Sequence, residues 1–119
     1  MTMITNEISE AFGEVNPPAQ LVVKREIFAR FLSGEKTIEY RRHRGRFTSR
    51  VFWRGRRVRI AYSYDPAKTP LLNALVRRFE ASRIEELPNE IQKQLSAFYP
   101  DLKMGDEIAL IHLEIIERP

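Results

Sequence analysis

The chain contains no cysteine, which removes a disulfide framework, a thiol nucleophile and any cysteine zinc site. Its only two histidines, His43 and His112, lie too far apart in sequence for an HxxxH pair. No metal or other cofactor is therefore expected. No apolar run is long enough to span a membrane, and the start lacks the basic-then-apolar order of a secretion signal. The expectation is a cytoplasmic protein with no membrane partner. With 119 residues, 43% of them hydrophobic and 30% charged, the chain suits one domain with a real core and excludes a fully disordered polymer.

Acidic residues are missing where basic ones are densest. Between Arg41 and Arg59 stand nine arginines (Arg41, Arg42, Arg44, Arg46, Arg50, Arg54, Arg56, Arg57, Arg59) and no Asp or Glu. Without those nine, the net charge of +4 becomes −5 for the remainder. Lysine is rare, and arginine is the side chain whose planar fork grips phosphate and stacks on bases. Like charges at this density repel one another, so the segment points to a polyanionic partner and reads as a phosphate clamp. Phe47, Phe52 and Trp53, interleaved with the arginines, are expected to be core or lid residues rather than stacking platforms.

Residues 1–19, with Gly13 and the Pro17-Pro18 pair, show no sustained period and read as a mobile arm. The opening Met-Thr-Met-Ile-Thr resembles the start of bacterial β-galactosidase used as an expression leader. Residues 20–119 read as the ordered domain. Leu21-Val22-Val23 predicts a strand, and Ile27, Phe28, Phe31 and Leu32 predict a helix stopped at Gly34. Thr37 to Arg42 reads as a second strand. Val58, Ile60 and Tyr62, alternating with Arg57, Arg59 and Ala61, read as a third. In Leu71 to Ile84, the spacing of Leu71, Leu72, Leu75, Val76 and Phe79 by itself favours a helix. Pro88 opens a clearer helix whose Ile91, Leu95 and Phe98 form a core stripe, and Pro100 ends it. Gly105-Asp106 is a turn before a last strand in which Ala109, Ile111, Leu113 and Ile115 alternate. His112 reads as an ordinary strand residue under a helix. The order implies a mixed α and β (α+β) fold with mostly antiparallel pairing or a small barrel.

The segment Leu32 to Arg41 contains Gly34, Lys36, Glu39 and Arg41 in the order Gly, any, Lys, any, any, Glu, any, Arg. This resembles the signature of the ASCH domain family. Val58-Arg59-Ile60-Ala61-Tyr62-Ser63 resembles the family's strand with a Tyr-Ala-Ser-like tip, and Tyr99-Pro100 and Gly105-Asp106 also fit. The resemblance covers roughly residues 20 to 117. It implies a PUA-like small β-barrel with flanking helices, and it makes Leu71–Ile84 a strand across the barrel, since a strand buried on both faces loses its alternation. It further implies RNA, or a nucleotide derived from it, as partner, bound in a cleft beside Gly34–Arg41.

The residues suit such a site. Gly34 supports a positive φ and a close backbone approach. Lys36, in a partly dry cleft, can act as a base or orient a carbonyl or phosphate. Glu39 and Arg41 share strand parity, whereas Lys36 joins their face only if it sits in the turn before the strand. An ion pair with a surface lysine is the plain alternative for the three. Tyr62 and Ser63 at a strand tip offer a stacking ring and a hydroxyl. The nucleic-acid contacts expected are thus Gly34, Lys36, Arg41, Arg42, Arg44, Arg46, Arg54, Arg56, Arg57, Tyr62 and Ser63, with Lys36 and Glu39 as the catalytic pair if there is turnover. Relatives that hydrolyse N4-acetylcytidine are understood to carry a Thr nucleophile where this chain has Glu39, and their acidic partner has no match here. Without that hydroxyl, acyl-enzyme chemistry is lost. A Glu39-activated water with Lys36 stabilising the oxyanion, or a ribonuclease reaction, is the alternative to a binding module.

Overall fold

Strand alternation and two short amphipathic helices account for most of the chain. In this computed structural model, which describes residues 17–119, β1 (Ala19–Val22) leads into α1 (Arg25–Ser33) and β2 (Ile38–Arg42). Then follow β3 (Arg57–Ala61), β4 (Leu72–Arg83), α2 (Asn89–Phe98) and β5 (Glu107–Glu117). The strands form one sheet in the order β1-β3-β4-β5-β2. β1 is parallel to β3, and the other neighbouring pairs are antiparallel. Parallel neighbours require a crossover, here supplied by α1, β2 and the arginine-rich loop. The five-stranded sheet curls into a half-barrel whose free edges are β1 and β2. The small α+β fold expected from the sequence is thus present. The expected arm spans residues 1–19 and the leader the first five. Residues 1–16 lie outside the described residues, Pro17 and Pro18 directly precede β1, and Ala19 is its first residue, buried in the core rather than part of an arm.

α1 buries Phe28 and Phe31, and it carries Glu26 in its first turn and Arg30 in its last, matching the helix dipole. Gly34 ends it in the left-handed region at φ 85°, with its N–H on the Phe31 carbonyl at 3.1 Å. The Lys36 N–H then returns to the Arg30 carbonyl at 3.0 Å, turning the chain into β2.

Along β5 the two faces serve two cores. Ile111 and Leu113 point into the curl with Leu21, Phe31, Phe52, Val58, Ile60 and Val76. Ile108 and Leu110 point outward to Leu95 and Ile91 of α2. Glu39 and Arg41 pair with Ile111 and Ala109, so both lie on the inner face of β2, while Tyr40 packs with the outer cluster.

Leu71–Ile84 is a strand, against its helical spacing. Leu72, Ala74 and Val76 are buried in strict alternation. Val76 then faces Leu113 and Arg78 faces His112, leaving Arg77 as an extra residue in a bulge. The bulge reverses parity, so Phe79 packs against the inner core. Leu72, Val76 and Phe79 therefore mimic a helical i, i+4, i+7 series. The alternation fails because of the bulge rather than through burial on both faces.

Three local expectations change. Phe98, placed in the core stripe of α2, is 55% exposed because that end of the stripe borders an open cavity instead of the outer cluster. His112, read as an ordinary strand residue, has an acidic partner. It lies beyond Ile108 and Leu110 on the outer face, with Nε2 2.7 Å from Glu80 Oε2. Of the three aromatic residues read as core or lid, Phe52 is fully buried and Phe47 partly, but Trp53 is 40% exposed.

Candidate functional site

The curl leaves β1 and β2 as free edges, and an arginine joins them. Arg41 Nε donates to Glu39 Oε2 at 2.9 Å, and its Nη2 donates to the Val22 carbonyl of β1, also at 2.9 Å. Lys36 Nζ lies 3.3 Å from the other oxygen, Glu39 Oε1. β2 begins at Ile38, so Lys36 is in the preceding turn and escapes the strand parity that would have pointed it away. Glu39 is only 6% exposed, and a carboxylate that deep is stable only with its oxygens engaged.

Lys36 is more than a counter-ion. Its ammonium sits over the rings of Phe31 and Tyr40, 5.4 and 5.3 Å from their centroids. Burial holds its pKa below the ordinary lysine value, helped by nearby Arg30 and Arg41 and opposed by Glu39. Burial also pushes the Tyr40 phenol up.

These groups line a cavity of about 890 Å³ between β1, β2, α1 and α2. Lys24 and Arg30 add cations to its lining, and Tyr64 and Phe98 add rings. Tyr64 is 86% exposed, so its ring stands at the mouth. Lys24 Nζ lies 5.9 Å from the Phe98 ring centroid. A volume of this size, part apolar with a few converging polar groups, is that of a small-molecule or nucleotide site. Lys24, Arg30, Tyr64 and Phe98 have no local motif that singles them out, and only the fold gathers them.

Tyr62 and Ser63 stand outside this lining. The Tyr62 ring meets Phe28 edge-on at 5.2 Å and carries Arg25 on its face at 4.6 Å. Ser63 Oγ accepts the Asp65 N–H at 3.1 Å. Gly34 shapes the turn that presents Lys36 and is not itself in the lining.

The arginine segment divides. Arg41, Arg46 and Arg56 donate to the carbonyls of Val22, Gln20 and Pro17, along and just before the free edge of β1. Arg46 also stacks on Phe47 and Phe52, two parallel rings 5.9 Å apart. Arg42 pairs with Asp101 above the ring of Tyr99, and this hydrogen bond holds the Asp101 carboxyl below its ordinary pKa. Arg44 lines a second, mixed-charge basin of about 640 Å³ with His43, Asp106 and Glu107. Arg59 is half-buried in β3. Arg50, Arg54 and Arg57 are exposed and make no ion pair among the described residues.

Among the described residues no cluster of three or more His, Asp or Glu could hold a metal ion, and no helix is long and apolar enough to cross a membrane. Comparison with family models, curated proteins and solved structures finds no match to this chain.

Proposed function

We propose that this chain is a PUA-like, ASCH-type binding module that takes a nucleotide of single-stranded or looped RNA into the cleft beside Gly34–Arg41. One observation carries the reading: Lys24, Arg30 and Lys36 converge with the Tyr64 and Phe98 rings around one cavity of about 890 Å³. Cations beside accessible rings suit a phosphate joined to an unstacked base. In this reading Lys36 and Arg30 take phosphate or a base carbonyl, and Tyr64 or Phe98 stacks on the base. Glu39, fixed by Arg41, offers a lone pair to an exocyclic amine. The exposed arginines of the loop receive neighbouring phosphates, and a cytoplasmic site of action goes with such a partner.

A hydrolase acting on N4-acetylcytidine or a related modified nucleoside is the second reading, favoured by the 3.3 Å approach of Lys36 to Glu39. Binding ranks above it because Lys36 and Arg41 already engage both oxygens of Glu39, leaving the carboxylate better placed to hold than to take a proton from water. Fluorescence anisotropy with a labelled single strand, a perfect duplex and N4-acetylcytidine as competitor tests the choice. The single strand should bind better than the duplex, and Lys36→Ala should weaken it about tenfold through loss of a charged hydrogen bond. Equal binding to the duplex argues against base recognition. Acetate release from acetylcytidine, abolished in Glu39→Gln with binding retained, establishes the hydrolase instead. RNA cleavage lost in the same variant establishes a nuclease.

A further inference from the structure

Trp53 lies outside the cleft lining. Its neighbour Phe52 is fully buried, yet Trp53 remains 40% exposed. It opens a tight turn, Trp53-Arg54-Gly55-Arg56, in which the Arg56 N–H reaches the Trp53 carbonyl at 2.9 Å. Gly55 takes φ 91° at the third position, as a type II turn requires. The turn is pinned to β4: the Gly55 N–H donates to the Val76 carbonyl at 2.7 Å, and the Val76 N–H donates to the Arg56 carbonyl at 2.9 Å. The Arg56 guanidinium lies over the indole at 4.2 Å, itself anchored on the carbonyls of Val51 and Pro17. The other loop aromatics, Phe47 and Phe52, are packed inward under Arg41 and Arg46. Trp53 alone among them keeps a large ring open to solvent, in the stretch that also carries the exposed Arg50, Arg54 and Arg57.

We infer that Trp53 is a second base-stacking platform, outside the cleft, for single-stranded RNA whose phosphates lie on Arg50, Arg54 and Arg57. The inference rests on the RNA reading above and extends it from one bound nucleotide to a strand engaged at two places. A guanidinium fixed on one side of the indole holds the ring in position, so a base adds to an existing stack at little ordering cost. Any base has a π face, so this subsite tolerates sequence, and the cleft supplies what selectivity there is.

Trp53 is the only tryptophan, so its fluorescence reports on this subsite alone. The full chain is titrated with oligouridine, with inorganic polyphosphate and with polyglutamate, while anisotropy of a labelled oligouridine reports total binding. Expected are quenching by oligouridine and not by either control polyanion, and a loss of RNA affinity of about tenfold in Trp53→Ala. Trp53→Phe should retain most of the affinity, and the salt dependence should stay unchanged in both variants. Anisotropy showing binding, with unquenched fluorescence and a Trp53→Ala variant of wild-type affinity, overturns the platform and leaves the cleft reading standing. Equal quenching by polyphosphate or polyglutamate also overturns it, because the loop is then a general anion patch or an acidic-protein surface. No binding of oligouridine in either measurement sinks both readings.

Discussion

Two sets of arginines from one stretch of sequence behave in opposite ways. Arg41, Arg46 and Arg56 reach inward to cap main-chain carbonyls along and just before the free edge of β1, Arg46 from an exposed position. Arg50, Arg54 and Arg57 stand in solvent. The inward set does what another strand would do, covering an edge that would otherwise offer unpaired carbonyls to a second chain. It can do so because a guanidinium donates several hydrogen bonds while its plane rests on an aromatic ring. Phe47 and Trp53 supply such rings to Arg41 and Arg56. The arginine run, read in sequence as a phosphate clamp, is thus in part an internal fastening. A charge run measures the local field but not how many of its charges face a partner.

Breaking the inward set should have the largest effect. Arg41→Met leaves Glu39 buried with Lys36 as its single counter-ion and strips the Val22 carbonyl of its donor. Removing one partner of a buried ion pair costs about 3–5 kcal/mol. The urea midpoint should fall accordingly, whereas Arg54→Met should stay within about 0.5 kcal/mol of wild type. Equal losses in the two variants would erase the distinction between the sets.

The exposed set answers to salt instead. Replacing Arg50, Arg54 and Arg57 together with Gln should flatten the log–log salt dependence of single-strand binding by about 0.7 per lost phosphate contact, about 2 in all. Arg46→Gln and Arg56→Gln should leave that slope alone. Arg56→Gln should lower stability by about 0.5 to 1.5 kcal/mol, the net range for a typical hydrogen bond, and Arg46→Gln, whose bond is exposed, by less. A slope that falls with the inward pair and not with the exposed trio would reverse the assignment.

Much of the fold was legible because alternation and stop signals are local. The spacing of Phe28 and Phe31, the stop at Gly34 and the inward residues of β5 all have one dominant cause, burial of one face. The bulge at Arg77 was not, since an extra residue in a ladder is fixed by its partner strand and leaves a helix-like spacing behind. At the site, Lys36, Glu39 and Arg41 do come together, because eight residues around one tight turn bring them there. Lys24 and Arg30 belong to α1 and its N-cap, Tyr64 to the loop after β3 and Phe98 to α2, three segments that meet only when the sheet curls, and no local pattern encodes such a meeting. Trp53 was expected in the core or in a lid, and its exposure removes the core option: aromatic side chains are more often buried than not, and the pinned type II turn that it opens is not encoded by the ring itself.

Lys36 falls between the two arginine sets, because it is paired with Glu39 and yet faces the cavity. Burial holds its folded pKa below the ordinary 10.5, with Glu39 limiting the drop. A lysine so depressed binds its proton more readily in the unfolded chain. From the folded pKa up to 10.5, the unfolded state therefore carries more protons and stability rises with pH. Below that window the penalty for a buried ammonium is fully present, and above it the penalty is gone. Lys36→Met has no such titration. The difference in urea midpoint between wild type and Lys36→Met should therefore move in favour of wild type on going from pH 8 to pH 10, by less than the loss in Arg41→Met. A difference that stays flat across that range would mean that Glu39 outweighs burial, making Lys36 a fully committed counter-ion like Arg41. In that case its ammonium would contribute little to ligand binding, and Lys36→Ala should harm folding more than RNA affinity.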